Sequence, residues 1–97
     1  MSVLIIGSIS VDNPANLAAY KVAAGTSMQE FGISLVGQSA PTPMLEGKFP
    51  GFITVVLEAE SEEQARAWHG SESYAKAIAA RSPDSTFTIG LVHTVGG

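Results

Sequence analysis

The sequence contains no cysteine. That excludes a disulfide framework, a thiol nucleophile and a thiolate metal site. Basic residues are scarce: Lys21, Lys48, Arg66, Lys76 and Arg81 stand singly along a chain of net charge −4. No basic stripe is available to neutralise phosphates, so nucleic acid is not an expected partner. No apolar run approaches the roughly 20 residues that a membrane span requires. The opening MSVLIIGSIS lacks the basic start of a leader, and its apolar run, Val3 to Ile6, stops after four residues at Gly7-Ser8. The expected location is therefore the cytoplasm. The glycines at 7, 25, 32 and 37 follow no nucleotide fingerprint, and no Ser-His-Asp order stands at a nucleophile elbow. No bound cofactor or metal is expected.

Apolar side chains are abundant. Hydrophobic residues make up 45% of the 97, against 14% charged. A chain of this length buries only about 60–65% of its unfolded surface. One domain over 1–97 is expected, and a second copy is the economical way to cover the remainder, since two-fold dimers are the commonest oligomers.

The segment Val3 to Val11 is rich in β-branched residues and apolar or small on both faces, which predicts a strand covered on both sides. Asn13-Pro14 predicts a helix start, with Asn13 as cap and Pro14 at the first position. Leu17, Tyr20, Ala24, Met28 and Phe31 then form one stripe of a helix about 27 Å long, and Gly32 ends it. Ile33 to Val36, extending towards Gln38, reads as a second strand. After the proline- and glycine-punctuated turn SAPTPMLEGKFPG, Phe52 to Glu58 reads as a third. Its contiguous Val55, Val56 and Leu57 predict a central strand covered on both sides. Ser61 and Gln64 have capping-box spacing, with Glu62 and Glu63 in the first turn where the helix dipole favours acids. Ala65 and Trp68 share a face, Gly70 stops the helix, and Ser71 caps a second piece that carries Tyr74, Ala75, Ile78 and Ala79. Thr86 to Val95 alternates as a last strand. The order β-α-β-β-α-β is the ferredoxin-like split βαβ, an α+β fold with one four-stranded antiparallel sheet.

Several of these residues resemble the family of domains of unknown function numbered 1330, within the dimeric α/β-barrel superfamily. The matching pieces are Asp12-Asn13-Pro14, Leu17 and Tyr20, Phe31-Gly32, Leu45-Glu46-Gly47, Ser61-x-Glu63-x-Ala65 with Ala67-Trp68, Ser71-x-x-Tyr74, Arg81 and Gly96. The resemblance spans nearly the whole chain, and tryptophan followed by Ser-x-x-Tyr is its most specific part. It implies a second helix broken after the tryptophan. It also implies a homodimer whose two sheets face each other with the helices outside. Superfamily relatives include cofactor-independent monooxygenases, muconolactone isomerases, polyketide cyclases and haem enzymes, so the fold licenses a cavity and not one chemistry. Three positions depart from the family pattern. Gln38-Ser39-Ala40 replaces an arginine followed by glycines, His69 replaces a tyrosine, and Ile33 replaces a glycine. Gln38 can hydrogen-bond in the cavity but brings no charge.

The reading that follows is a small homodimer with a cavity for a hydrophobic carbonyl or phenolic metabolite. One form is a cofactor-free enzyme of isomerase, cyclase or monooxygenase type; the other is a non-catalytic ligand-binding or purely structural dimer. His69 and Tyr20 are the candidate proton-transfer groups. A histidine side chain can gain or lose a proton near neutrality, and an enclosed ring would mark His69 as functional. Otherwise it is a polar residue at an exposed helix end, favoured there by the dipole. Tyr74 could donate into the cavity, yet both tyrosines lie on core-facing stripes. Trp68 is either a core anchor or a substrate platform. His93 keeps phase with Phe87, Ile89 and Leu91, which predicts entry into an apolar layer, as a satisfied structural histidine or as a catalytic one. Two histidines with Glu46 or Asp84 match no metal-ligand spacing. Gly7 and Gly90 either pair across the first and last strands, leaving a hollow, or are unrelated bulges. Arg66 and Arg81 either recognise carboxylates or are lone surface arginines.

Overall fold

In the computed structural model, which describes residues 2–10, 13–81 and 83–95, four strands form a single antiparallel sheet beneath one layer of helices. The expectations for Val11, Asp12, Ser82 and Gly96 fall outside the described residues. Chain order is β1 (Val3–Ile9), α1 (Pro14–Phe31), β2 (Ser34–Ser39), β3 (Ile53–Ala59), α2 (Glu62–His69), α3 (Glu72–Ala80) and β4 (Phe87–His93). The sheet order is β2-β3-β1-β4 with every pair antiparallel, which is the ferredoxin-like arrangement of the split βαβ.

The helix ends follow the residue types that specify them. Asn13 Oδ1 accepts from the N–H groups of Ala15 and Asn16, and Gly32 closes α1 in the left-handed conformation at φ 67°. Ser61 Oγ accepts from Gln64 N–H. The returning half of the capping box differs from its usual form: Gln64 Oε1 accepts from Glu60 N–H rather than Ser61 N–H. The other end of the same amide donates to the Phe31 carbonyl, so one side chain ties the exit of α1 to the entry of α2. Ser71 Oγ accepts from Tyr74 N–H and starts α3 one residue past Gly70, giving the broken second helix.

Alternation assigns the two faces of the sheet. Ile5 and Ile9 of β1, Ile53 and Leu57 of β3, and Phe87, Ile89 and Leu91 of β4 face the helices, where they meet Tyr20, Trp68 and Tyr74. The opposite face carries Leu4, Ile6, Val56 and Val92, all half-buried or exposed. The strands β1 and β3 are therefore central as expected, but within one chain only one of their faces is covered.

The β1–β4 register also differs from the expectation. Gly7 lies opposite Ile89, and Gly90 opposite Ile6. A Gly7–Gly90 pairing would have set Thr88 and Val92 beside Ile9 and Ile5, turning Phe87, Ile89 and Leu91 away from the helices. A one-residue slip reverses every side chain, so burial of those three residues fixes the observed register. The two glycines therefore share no hollow. A Cβ on Gly7 would come 3.0 Å from Val55 Cγ2 on the helix side, whereas one on Gly90 would meet open space on the other.

Candidate functional site

The aromatic residues on α1, α2 and α3 turn inward and complete one another's hydrogen bonds. Trp68 Nε1–H donates to Ser27 Oγ at 2.9 Å, and Ser27 donates to the Ala24 carbonyl at 2.7 Å. The Tyr20 and Tyr74 hydroxyls lie 2.7 Å apart, and Arg81 Nη2 donates to the Tyr74 oxygen at 2.8 Å. The Arg81 guanidinium stacks on Phe87 at 3.8 Å. Arg81 is thus a bridge between helix and strand, not a lone surface arginine. Ser27 is legible in sequence: residues 20, 24, 27 and 31 recur at spacings of four, three and four, and Ser27 rather than Met28 holds the buried position of that stripe.

Burial, and next the neighbouring Tyr74, raise the Tyr20 phenol above the usual tyrosine range, with Arg81 opposing only in part. The folded state therefore favours the neutral phenol. Its contribution to stability is complete below the unfolded-state value of about 10 and is lost as pH rises beyond it, at about 1.4 kcal/mol per pH unit until the folded phenol ionises. Guanidinium unfolding between pH 8 and 11.5 should show this fall, and Tyr20→Phe should flatten it. Identical profiles for the two proteins would refute the assignment.

Beside α2 the helix layer leaves part of the sheet uncovered, and a groove of about 550 Å³ runs there between α2 and the β1–β4 pair. Ile5, Ala65, Ile89 and Leu91 supply apolar lining, with Trp68 behind them. Glu62, Arg66, His69 and His93 supply polar groups. His69 ends α2, its ring 5.3 Å from that of Tyr74. It is exposed in the chain rather than enclosed. His93 keeps its phase on β4 but does not enter an apolar layer. It is the strand's last residue, its side chain is 67% exposed, and Nε2 lies 2.9 Å from Glu62 Oε1. Arg66 Nε donates to the other Glu62 oxygen at 2.7 Å. These two hydrogen bonds, Arg66 first, hold the Glu62 carboxyl below the usual carboxylate range.

The groove thus brings together Trp68, His69, Gly90 and His93 from the sequence-predicted set. Tyr20 and Tyr74 sit in the core behind it. Gly7 faces Val55, and Gln38 is exposed on β2, at the sheet edge opposite β4. From sequence alone, Glu62 stands as an acid in the first helical turn. Its i,i+4 spacing to Arg66 was visible, but its approach to His93, 31 residues on, depends on tertiary structure. Among the described residues no three His, Cys, Asp or Glu side chains converge as a metal would need, and no helix is long and apolar enough to cross a membrane.

Solved structures share this fold at low identity. A protein of unknown function from Rhodopseudomonas palustris superposes with a TM-score of 0.67 at 17% identity, over 91% of this chain and 79% of its own. SnoaB, a cofactor-independent oxygenase from Streptomyces nogalater, gives 0.60 at 14% identity, over 99% and 98%. A dimeric ferredoxin-like protein of unknown function from Thermobifida fusca gives 0.58 at 13%, over 95% and 92%. No curated protein matches the sequence significantly. The family model described as a domain of unknown function, DUF1330, matches residues 2–95, and the chain belongs to that family.

Proposed function

We propose that the protein is a cytoplasmic homodimer that binds a small hydrophobic carbonyl or phenolic metabolite in the groove between α2 and β4. The observation that carries this reading is the groove itself, an apolar floor of useful size bordered by two histidines, an arginine and a carboxylate. The dimer is supported by the uncovered sheet face and by Met44, Phe49 and Phe52, which are exposed between β2 and β3. Oxygenation without a cofactor, as SnoaB's name describes, is one chemistry such a groove could host. Non-catalytic binding is the second reading. It is favoured by the packing of Tyr20 and Tyr74 inside the core and by the exposure of His69. Neither reading calls for nucleic acid, a membrane or a resident cofactor.

Two measurements test the proposal. Light scattering on a size-exclusion column should give about twice the 10.0 kDa chain mass at micromolar concentration, given the size of obligate interfaces; a monodisperse monomer would refute the dimer. Titration with 1-naphthol and 2-tetralone, followed by NMR of histidine rings and methyl groups, should shift His69, His93, Ile89 and Leu91 together. Unmoved resonances at millimolar ligand would remove the groove from consideration.

A further inference from the structure

We infer that Glu62 and His93 form an acid–base pair in the groove, with His93 as the base that moves a proton on a bound carbon acid. The inference rests on the small-molecule reading of the groove, and it assigns catalysis to a histidine other than His69. The geometry fixes the roles. Glu62 lies on the first turn of α2 and His93 on the last residue of β4, so the pair bridges the two elements that flank the groove. An ionised carboxylate accepts hydrogen bonds and donates none. Glu62 Oε1, 2.9 Å from His93 Nε2, therefore requires the proton on Nε2 and leaves the Nδ1 lone pair as the base. Arg66 holds the second carboxylate oxygen at 2.7 Å, which limits rotation of Glu62 away from the ring. A histidine whose second nitrogen is anchored by a carboxylate has the arrangement that fixes tautomer and stabilises the imidazolium formed during proton abstraction. Among the described residues, His69 makes ring contacts with Trp68 and Tyr74.

The reaction needs no oxidant, reductant or co-reactant. His93 Nδ1 takes a proton from the carbon next to the ligand's carbonyl, and the C–H electron pair moves into the enolate. The imidazolium either trades that proton for one from solvent and reprotonates the same carbon, a net exchange, or delivers the original proton to a conjugated carbon, a net isomerisation. The ligand class is thus a largely apolar ketone with an acidified α-carbon. The charged and titratable neighbours of His93 among the described residues are Glu62 and Arg66 on α2 and Glu60 just before it, with His69 at the other end of α2.

The probe is 2-tetralone, a neutral bicyclic ketone, in deuterated buffer near neutral pH. Wild type should exchange its α-protons about 10²–10⁴-fold faster than His93→Gln. The glutamine variant keeps a donor for Glu62 and should bind 2-tetralone within twofold of wild type, read from the Ile89 and Leu91 methyl shifts. Glu62 is a positioning residue. Glu62→Gln should slow exchange about tenfold through kcat rather than KM, because the ring loses the carboxylate that fixes its tautomer and stabilises the imidazolium. Binding without acceleration over buffer would overturn the pair while leaving the groove reading intact. No binding would overturn both. Full exchange in His93→Gln, or a wild-type kcat in Glu62→Gln, would also overturn the assignment.

Discussion

Trp68→Ala is expected to lower stability by roughly 3–5 kcal/mol, the range for truncating a large buried aromatic. Trp68 is 3% exposed, and its ring lies 4.5 Å from that of Tyr74. Removing the indole leaves a void that the sheet beneath and α1 alongside cannot both fill. It also removes the donor that meets Ser27 Oγ at a site with no solvent access, so an acceptor loses its partner. Trp68→Phe separates these effects: most of the volume remains and the hydrogen bond goes, for a loss of about 1–3 kcal/mol. The neighbouring His69→Ala, at an exposed position, should cost under about 0.5 kcal/mol. Urea unfolding at constant m-value gives all three. A Trp68→Ala loss below about 1 kcal/mol would mean that the core reorganises around the gap and that this residue is not its anchor.

Gly51→Ala is expected to be comparably damaging for a different reason. A Cβ there would lie 2.5 Å from the Ile9 carbonyl carbon and 2.6 Å from its nitrogen and oxygen. Those are backbone atoms of a central strand and cannot swing aside as a side-chain tip could. The Gly51 N–H donates to Ser8 Oγ at 2.7 Å, so displacing the segment also breaks its tether to β1. Overpacking of this kind costs about 1–3 kcal/mol and more where the backbone must move, and roughly 3 kcal/mol is expected here. Gly25 gives the contrast. It sits in the interior of α1 with nothing within 4 Å of a built Cβ. Gly25→Ala should stabilise by about 0.5–1 kcal/mol. If the two substitutions had similar effects on the urea midpoint, close approach at Gly51 would not be the cause.

The sequence carried the elements better than it carried the contacts between them. Asn13, Gly32, Ser61 and Ser71 act on groups within a few residues, so their caps were legible locally. The β1–β4 register was not, although the needed information was present. Phe87, Ile89 and Leu91 mark one face of β4, and matching that face to Ile5 and Ile9 yields the observed pairing. The Glu62–His93 contact had no local signature, because it depends on how far α2 extends over the end of β4. Arg81 was equally opaque: an arginine after a helix reads as surface unless the stacking of Phe87 beneath it is known.

The strand order β2-β3-β1-β4 has a consequence for how the chain is made. The first strand to leave the ribosome occupies the middle of the sheet, and Gly7 waits for Val55 and then for Ile89, 82 positions later. Such non-local pairing slows folding, because the cost of closing long loops comes before the contacts that reward it. Until β4 emerges, VLIIGSI keeps one unpaired edge, and it is a seven-residue apolar segment without charge or proline. Segments of that composition pair readily with copies of themselves. Synthesis interrupted before residue 87 would therefore yield a nascent chain prone to assemble through β1, and completion of the last strand is the step that closes this edge against misassembly.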